Sequence, residues 1–370
     1  MEFPMFSPTD YRFMAQALRL AEKGLYSTSP NPRVGCVLVR DGQVVGTGWH
    51  ERAGEAHAEI NALAAAGPAA RGALAYLTLE PCSHYGRTPP CADALVQAGV
   101  AKVITAMQDP NPLVAGRGCA LLEEAGIEVK TGLMEAEAKA LNIGFVSRMT
   151  RGRPWVRVKI AASLDGKTAL NNGSSQWITS AAARRDGHRW RARSCAVMTG
   201  IGTVLADDPQ LTVRHIHTSR QPMPVVVDRG LDIPLDAGLL RGAGELVFTA
   251  AASEGKIVAL RDVGAHVILL PDSAGNVDLA AMMRRLADLE INEVLVEAGS
   301  GLNGGLIQAD LVDEFVIYLA PCLIGNAARD MLKLPELSNL EDKRALKIHN
   351  VRAVGQDIRI IARGPDGMAT

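Results

Sequence analysis

His57, Cys82 and Cys91 are the residues from which chemistry is read first. One imidazole and two thiolates make a three-ligand set for zinc and leave the fourth tetrahedral position for water. Zinc lowers the pKa of such a water to about 7, which supplies hydroxide at neutral pH. Glu59 follows two residues after His57, where a carboxylate can move that water's protons. The thiols come from Glu80-Pro81-Cys82 and from Cys91, with eight residues between them. A closed structural zinc normally takes four protein ligands, and His84 is the available fourth. Against that reading stand the acid beside His57 and the open position of a three-ligand set.

The elements that must carry these groups follow from local pattern. Residues 55–66 (EAHAEINALAAA) read as a helix with His57 and Glu59 in its first turn. Residues 73–79 read as a short buried strand, so Pro81 and Cys82 begin a strand-to-helix loop. Pro89 and Pro90 precede a third helix that opens on Cys91. A helix N-terminus favours a thiolate, the form that binds metal. Upstream, residues 9–24 have helical spacing, with Tyr11, Met14, Ala15, Leu18 and Ala21 on one side and Thr9 as N-cap. Asn31 stands in a rigid turn between two prolines, and residues 34–40 and 44–49 flank Asp41-Gly42 as a β-hairpin. A strand at 100–107, a helix at 118–126 and a strand at 127–131 complete a layered α/β domain with a mostly parallel sheet.

Composition limits the partners. The chain has 370 residues, enough for about two domains. Its net charge is −1 and its aromatic content 4%, so it lacks the cations and stacking rings of a polynucleotide binder. A few placed Arg and Lys still suffice for a small anion. Six cysteines, at 36, 82, 91, 119, 195 and 322, are widely spaced, and residues 1–12 show no basic region followed by a long apolar run. No transmembrane stretch is visible. A cytoplasmic location with reduced thiols is the expectation.

The second half begins after residues 141–154, read as a helix end running into a basic linker with Arg148, Arg151 and Arg153 solvated. Strands are expected at 155–163, 195–199, 224–228, 245–249, 265–270, 294–297, 313–319 and 357–362, the last two forming an antiparallel end to the sheet. Two segments could carry a ligand. Residues 294–305 run from strand through a glycine turn into a helix and satisfy G-x-G-x-x-G, either as a pyrophosphate cradle or as a tight structural turn. Residues 203–214 are either a binding segment or a polar loop beside a helix.

A His-x-Glu followed by Pro-Cys-x-x-Cys marks zinc deaminases. His57-Ala-Glu59-Ile-Asn61, residues 78–91 (TLEPCSHYGRTPPC) and Gln108-Asp-Pro-Asn-Pro112 resemble the deaminase half of the bifunctional riboflavin-biosynthesis deaminase/reductase family. The eight-residue gap with Gly86-Arg87-Thr88-Pro89-Pro90 separates it from cytidine and tRNA-adenosine deaminases, where two residues usually lie between the cysteines. The resemblance implies a cytidine-deaminase-like three-layer αβα domain over residues 1–150, with one zinc on His57, Cys82 and Cys91. It makes Glu59 the proton shuttle. It also implies Asn31, His84, Arg87 and Asn111 as contacts of a phosphorylated pyrimidine, although Arg87 suits solvent as well as an anion.

Lys159-Ile-Ala-Ala-Ser-Leu-Asp165-Gly166, Ser175-Gln176-Trp177-Ile-Thr179, residues 203–214 and Glu297-Ala298-Gly299 resemble the reductase half of the same family. That resemblance implies a dihydrofolate-reductase-like α/β domain over residues 151–370 that uses NADPH. Cofactor contacts would be Ala161, Trp177, Thr203, Asp207 and the turn Gly299, Ser300, Gly301, Leu302, Asn303, Gly304 and Gly305. Substrate contacts would be Ser175, Arg191, Leu211, Arg214 and Glu297. Lys159 and Asp207 are candidate polar helpers of hydride transfer. Arg229 follows Asp228 where the family is expected to carry a small hydroxyl residue; it pairs with the 2′-phosphate of NADPH or faces solvent.

The implied function is zinc-hydroxide deamination of 2,5-diamino-6-ribosylamino-4(3H)-pyrimidinone 5′-phosphate, then NADPH reduction of the ribosyl side chain to ribityl. Two other readings stay open at this point. One is a nucleoside or tRNA deaminase with an accessory domain, disfavoured by charge and by the cysteine gap. The other is a binding protein with a structural zinc. The resemblance further implies a small-molecule partner, no nucleic acid, no membrane and a homo-oligomer, a dimer before other states.

Overall fold

Ser7, rather than the expected Thr9, starts the first helix of the computed structural model, which describes residues 5–83, 90–112, 114–242 and 244–364. Ser7 Oγ accepts the Asp10 N–H at 3.2 Å, and the Asp10 carboxylate accepts the Ser7 N–H at 2.8 Å. Pro8 then takes the first helical position, where its missing N–H costs nothing. This helix, α1 (Pro8–Glu22), buries Met14, Leu18 and Ala21 as their spacing predicts, but Tyr11 is exposed.

β1 (Gly35–Arg40) and β2 (Gln43–Trp49) form the expected hairpin. Asp41 and Gly42 both take positive φ, 52° and 75°, the turn geometry that matches the twist of the strands. There follow α2 (Ala58–Ala66), β3 (Leu74–Leu77), α3 (Cys91–Ala98), β4 (Lys102–Thr105), α4 (Arg117–Glu124), β5 (Glu128–Thr131), α5 (Glu135–Leu141) and α6 (Ile143–Arg151). The sheet order is β2-β1-β3-β4-β5. A mostly parallel sheet was the expectation, and only β3, β4 and β5 meet it. The tight hairpin lays β2 antiparallel on one edge of β1, and β3 joins the other edge antiparallel as well. Residues 35–39 of β1 are all buried, the mark of a strand covered on both faces. Val37, Leu38, Leu77, Val103 and Ile104 share this core with Met14, Ala17, Ala62, Leu95 and Leu122 from the helices.

The chain divides into two units, Met1–Gly152 and Arg153–Thr370. Helix persists further toward the boundary than the expected linker, because α6 runs to Arg151 and ends on Gly152 in the left-handed conformation (φ 64°). The arginines there are not simply solvated. Arg151 bonds Ser147 Oγ at 2.5 and 3.1 Å, and Arg153 grips the Asp313 carboxylate with two bonds of 2.7 and 2.8 Å.

The second unit starts with β6 (Trp155–Ser163), β7 (Lys167–Ala169), α7 (Ala181–Arg193), β8 (Ala196–Gly200), α8 (Ile201–Asp207) and β9 (Met223–Val227). It continues through β10 (Leu246–Thr249), α9 (Glu254–Asp262), β11 (His266–Leu269), α10 (Leu279–Asp288), β12 (Glu293–Val296), α11 (Ser300–Gln308) and β13 (Glu314–Ala320). β14 (Arg329–Asp330), β15 (Lys347–Val354) and β16 (Asp357–Arg363) end it. Nine strands form one sheet in the order β11-β10-β9-β8-β12-β6-β13-β16-β15, parallel from β11 to β13. β16 pairs antiparallel with β13, as expected, but β15 was not anticipated. Its residues are almost all exposed, so it carries no apolar alternation by which to recognise it.

Arg157 lies fully buried at the start of β6, bonded to Glu293 of β12 and, at 2.5 Å, to Glu314 of β13. Arg193 and Arg363 complete the cluster on the same two carboxylates. Each buried charge is thereby paired, and loss of Glu293 or Glu314 would remove one of the two buried anions that balance Arg157.

Candidate active sites

Two helix starts and one loop assemble the first site. His57 is the N-cap of α2 in extended conformation, so its side chain stands at the helix end, and Glu59 occupies the first turn and is buried. Cys91 opens α3 directly after Pro90 and is buried beneath it. The Cys91 N–H points at Cys82 Sγ, 3.2 Å away. His57 Nδ1 lies 3.3 Å from Cys91 Sγ and 3.6 Å from Cys82 Sγ, and the three donor atoms fall within 4.8 Å of one another. A tetrahedral zinc with Zn–N near 2.0 Å and Zn–S near 2.3 Å needs nitrogen and sulfur roughly 3.5 Å apart. The donor set therefore fits the metal.

Electrostatics favour the same use. Hydrogen bonds from the Cys91 thiol, then the His57 ring and the Cys91 backbone N–H, lower the Cys82 thiol and raise that of Cys91, so one proton is shared between the two sulfurs. Burial pushes the Glu59 carboxyl up to about 7, helped by the Cys82 charge. A carboxyl in that range can take and return protons near neutral pH.

The surroundings of this site are fixed by bonds that no short motif reveals. His50 Nδ1 lies 3.1 Å from the Ala56 carbonyl, which can only accept, so the ring proton sits there. His50 Nε2 then accepts from the Asn31 amide nitrogen at 3.0 Å and sets the amide's orientation. The His50 ring also packs edge-on against His57, with centroids 5.3 Å apart. Asn111 accompanies Ser83 and Arg117 in lining a cleft of about 610 Å³. His84 and Arg87 lie outside the described residues.

Glu80 was missed as a site residue. Its carboxylate accepts the backbone N–H groups of Asp109 (3.0 Å), Gly116 (2.9 Å), Gly118 (2.8 Å) and Cys119 (3.3 Å). One buried acid thus ties the loop bearing Asn111 and the start of α4 to the strand end that carries Cys82. Gly118 permits this approach: a Cβ there would meet the Pro81 carbonyl oxygen at 1.9 Å.

In the second unit the polar residues come together from distant elements. Glu297 follows β12, and Arg191 of α7 holds its carboxylate with bonds of 2.6 and 3.1 Å. Lys159 of β6 stands 3.6 Å from the same carboxylate. Burial alone would raise the Glu297 carboxyl, but Arg191 and Lys159 overcome it and hold it at about 2. Arg191 also donates to the Thr212 carbonyl oxygen at 2.9 Å. The Arg214 guanidinium donates to Gln210 Oε1 at 3.0 Å.

Other expected contacts are distributed around this unit. Ala161 is half-buried in β6, Thr203 lies in α8, and Asp207 ends that helix exposed. Ser175 and Trp177 sit on the loop before α7, with the Arg184 guanidinium 4.3 Å over the exposed Trp177 ring. Leu211 is buried against Ala183, Trp190 and Tyr318, so its side chain belongs to the core and leaves only its backbone to a ligand. Arg229 is exposed beside the buried Asp228, whose carboxylate accepts the Ile233 N–H at 2.8 Å.

The glycine run also needs correction. Helix α11 starts at Ser300 with Gly299 as N-cap, so Leu302, Asn303, Gly304 and Gly305 lie inside the helix and not in a turn. Gly304 is small because a Cβ would meet the Lys333 carbonyl oxygen at 2.0 Å. Gly299 and Gly301 instead have open space where side chains would stand. Together with Ser300 they present the first N–H groups of a nine-residue helix, which suits a cofactor phosphate. Asn303 Oδ1 nearby is buried without a hydrogen-bond partner among the described residues.

Residues 154–360 match the RibD C-terminal domain, and residues 7–107 match the cytidine and deoxycytidylate deaminase zinc-binding region. The chain is 47% identical to riboflavin biosynthesis protein RibD of Escherichia coli over 361 residues, 94% of this chain and 98% of the relative. The chain belongs to the RibD family. RibD of Acinetobacter baumannii superposes with a TM-score of 0.90 at 45% identity, covering 96% of this chain and 99% of its own. A diaminohydroxyphosphoribosylaminopyrimidine deaminase/5-amino-6-(5-phosphoribosylamino)uracil reductase from Thermotoga maritima gives 0.85 at 33% identity, with coverage of 96% and 99%.

As a member of this family the chain is a bifunctional enzyme of riboflavin biosynthesis, with a zinc-binding deaminase domain and an NADPH-dependent reductase domain. The expected folds hold, cytidine-deaminase-like first and reductase-type α/β second. A nucleoside or tRNA deaminase with an accessory domain, and a binding protein with a structural zinc, are both set aside. Among the described residues no helix is long and apolar enough to cross a membrane.

Proposed function

We propose that Met1–Gly152 deaminates a diaminohydroxyphosphoribosylaminopyrimidine and that Arg153–Thr370 reduces the resulting phosphoribosylamino uracil, the two reactions named for the Thermotoga maritima relative. The observation that carries this reading is the His57, Cys82 and Cys91 triangle with Glu59 buried beside it. His57, Cys82 and Cys91 would hold one zinc, which when bound lowers the pKa of water to about 7. Glu59 takes a proton from the water that attacks the amino-bearing ring carbon. It passes protons to the ring nitrogen and then to the departing amine, so that water and an amidine become a carbonyl and ammonia. Asn31, Asn111, His84 and Arg87 are the proposed substrate contacts.

When bound to the second unit, NADPH would supply the hydride needed at the ribose C1 of an opened imine, whose nitrogen then takes a proton. Lys159, poised against Glu297, is the cation placed to assist that proton transfer. Ser175, Arg191, Arg214, Glu297 and the Leu211 backbone would contact the pyrimidine phosphate. Ala161, Trp177, Thr203, Asp207 and the Gly299–Ser300–Gly301 start of α11 would contact the cofactor. Leu302, Asn303, Gly304 and Gly305 would support that helix start from within.

We also propose that the enzyme works in the cytoplasm as a homodimer. Among the described residues β15 ends the nine-stranded sheet with an open edge, and Ile348 and Val351 on it are 61% and 55% exposed. Such an edge is a template for pairing, which a second copy would occupy. The test of function is a two-stage assay on the purified protein. Ammonia should appear from the diaminopyrimidine phosphate without NADPH, and NADPH should be consumed only after that release. NADPH oxidation on the undeaminated substrate at the full rate would reverse the proposed order.

A further inference from the structure

The segment between α8 and β9 carries two of the proposed substrate contacts, Leu211 and Arg214, yet has no regular secondary structure. Its backbone is left-handed at Asp208 (φ 40°), Leu211 (φ 54°) and His215 (φ 66°), conformations that non-glycine residues keep only when their surroundings impose them. Leu211 is anchored by the core at one point. Gln221 closes the loop on itself by accepting the Val213 N–H at 2.7 Å. Further ties come from α7. Arg191 and His188 are three residues apart and so share a helix face. Arg191 donates to the Thr212 carbonyl oxygen at 2.9 Å, and His188 Nδ1 accepts the Arg214 N–H at 3.0 Å.

We propose that His188 is a positioning residue of the reductase site, which fixes the backbone of Arg214 so that its guanidinium meets an anionic group of the substrate. The proposal rests on the reading of Arg214 as a substrate contact. It requires that Nδ1 stay an acceptor, and the setting ensures this. His188 is 8% exposed, its ring meets His215 edge-on at 5.2 Å, and it faces the cations of Arg191 and Arg214. Burial first, and those two cations next, outweigh the facing Glu297 carboxylate and keep the imidazole neutral down to about 4. Unlike Arg191, whose guanidinium is already committed to Glu297, His188 acts on the loop backbone alone in the bonds described.

Asparagine carries Oδ1 on the same carbon that bears Nδ1 in histidine, so His188→Asn preserves the acceptor. His188→Leu keeps bulk and removes it, and His188→Ala removes it with a cavity in place of an apolar side chain. The test is steady-state kinetics of the full-length enzyme with the deaminated phosphoribosylamino uracil and NADPH. His188→Leu and His188→Ala should raise KM for the uracil about five- to tenfold, the loss expected for one hydrogen bond. The KM for NADPH and kcat should stay within about twofold, ammonia release should be unchanged, and His188→Asn should restore most of the loss. In an Arg214→Ala background, His188→Leu should add nothing, since the fixed backbone no longer presents a guanidinium. A wild-type KM in both His188→Leu and His188→Ala, with Arg214→Ala impaired, overturns the proposal. So does a full additional loss in the double variant. A wild-type KM in Arg214→Ala overturns the reading beneath it and the proposal with it.

Discussion

The two sites solve the problem of buried charge in different ways. In the first unit the reactive groups stand at the starts of α2 and α3 and on the loop bearing Cys82, and their two thiols and one imidazole are complete only around a cation that the polypeptide does not supply. In the second, Glu297 meets Arg191 and Lys159, so the protein provides both signs of charge itself. One site therefore depends on an added metal and the other on side chains from β6, α7 and the end of β12. Each should fail through a different loss.

Removing the metal is the strongest way to break the comparison. Chelation should lower ammonia release at least about a hundredfold, while NADPH oxidation with the deaminated uracil continues. Equal loss of both activities would show that the second site needs the metal as well. The reciprocal break is Glu297→Gln, which leaves Arg191 and Lys159 facing a neutral amide. Reductase kcat/KM should fall about a hundredfold with ammonia release untouched, in proportion to the cost of breaking a buried ion pair. Reductase kinetics close to wild type would remove Glu297 from the site.

A smaller effect sharpens the account of how the first site is held. Glu80→Ala would strip one partner from four backbone N–H groups. Denaturant unfolding followed in the first unit should lose about 3 kcal/mol, since each stranded donor costs roughly 1–3 kcal/mol and some will find water. Unchanged unfolding would mean that the loop before α4 is held by other bonds.

The smallest effect concerns acid. His188 titrates at about 4 in the folded chain against 6.5 as the ordinary value, so between those limits the folded state binds fewer protons than the unfolded one. Acidification through that window must therefore favour unfolding. The melting temperature of the second unit should drop a few degrees between about pH 7 and about pH 5, and less so in His188→Asn. A melting curve with the same pH dependence in both proteins would assign that loss to other groups.

What could be read from the sequence follows the same division. The metal triangle was legible because its ligands sit in short motifs beside proline and helix-start signals, and the parallel strands because they are continuous apolar runs. The antiparallel setting of β3 on β1 was not, since local pattern does not say which edge a strand will join. Glu80 was hidden because its partners lie 29 to 39 residues away. β15 was hidden because nothing on it is buried enough to leave a period. In the glycine run the motif matched by composition, while the structure separates its open glycines, 299 and 301, from Gly304, which a neighbouring carbonyl requires. Arg153 was misjudged for a related reason, because a distant aspartate decides its role.

The central claim is that each unit performs one reaction with its own groups. It is tested most directly by measuring both half-reactions on one preparation of Glu59→Gln. The account predicts that this variant keeps zinc, loses ammonia release by about two to four orders of magnitude, and oxidises NADPH at the wild-type rate when given the deaminated uracil. Wild-type ammonia release, or a parallel loss of NADPH oxidation in a zinc-loaded protein, would contradict it.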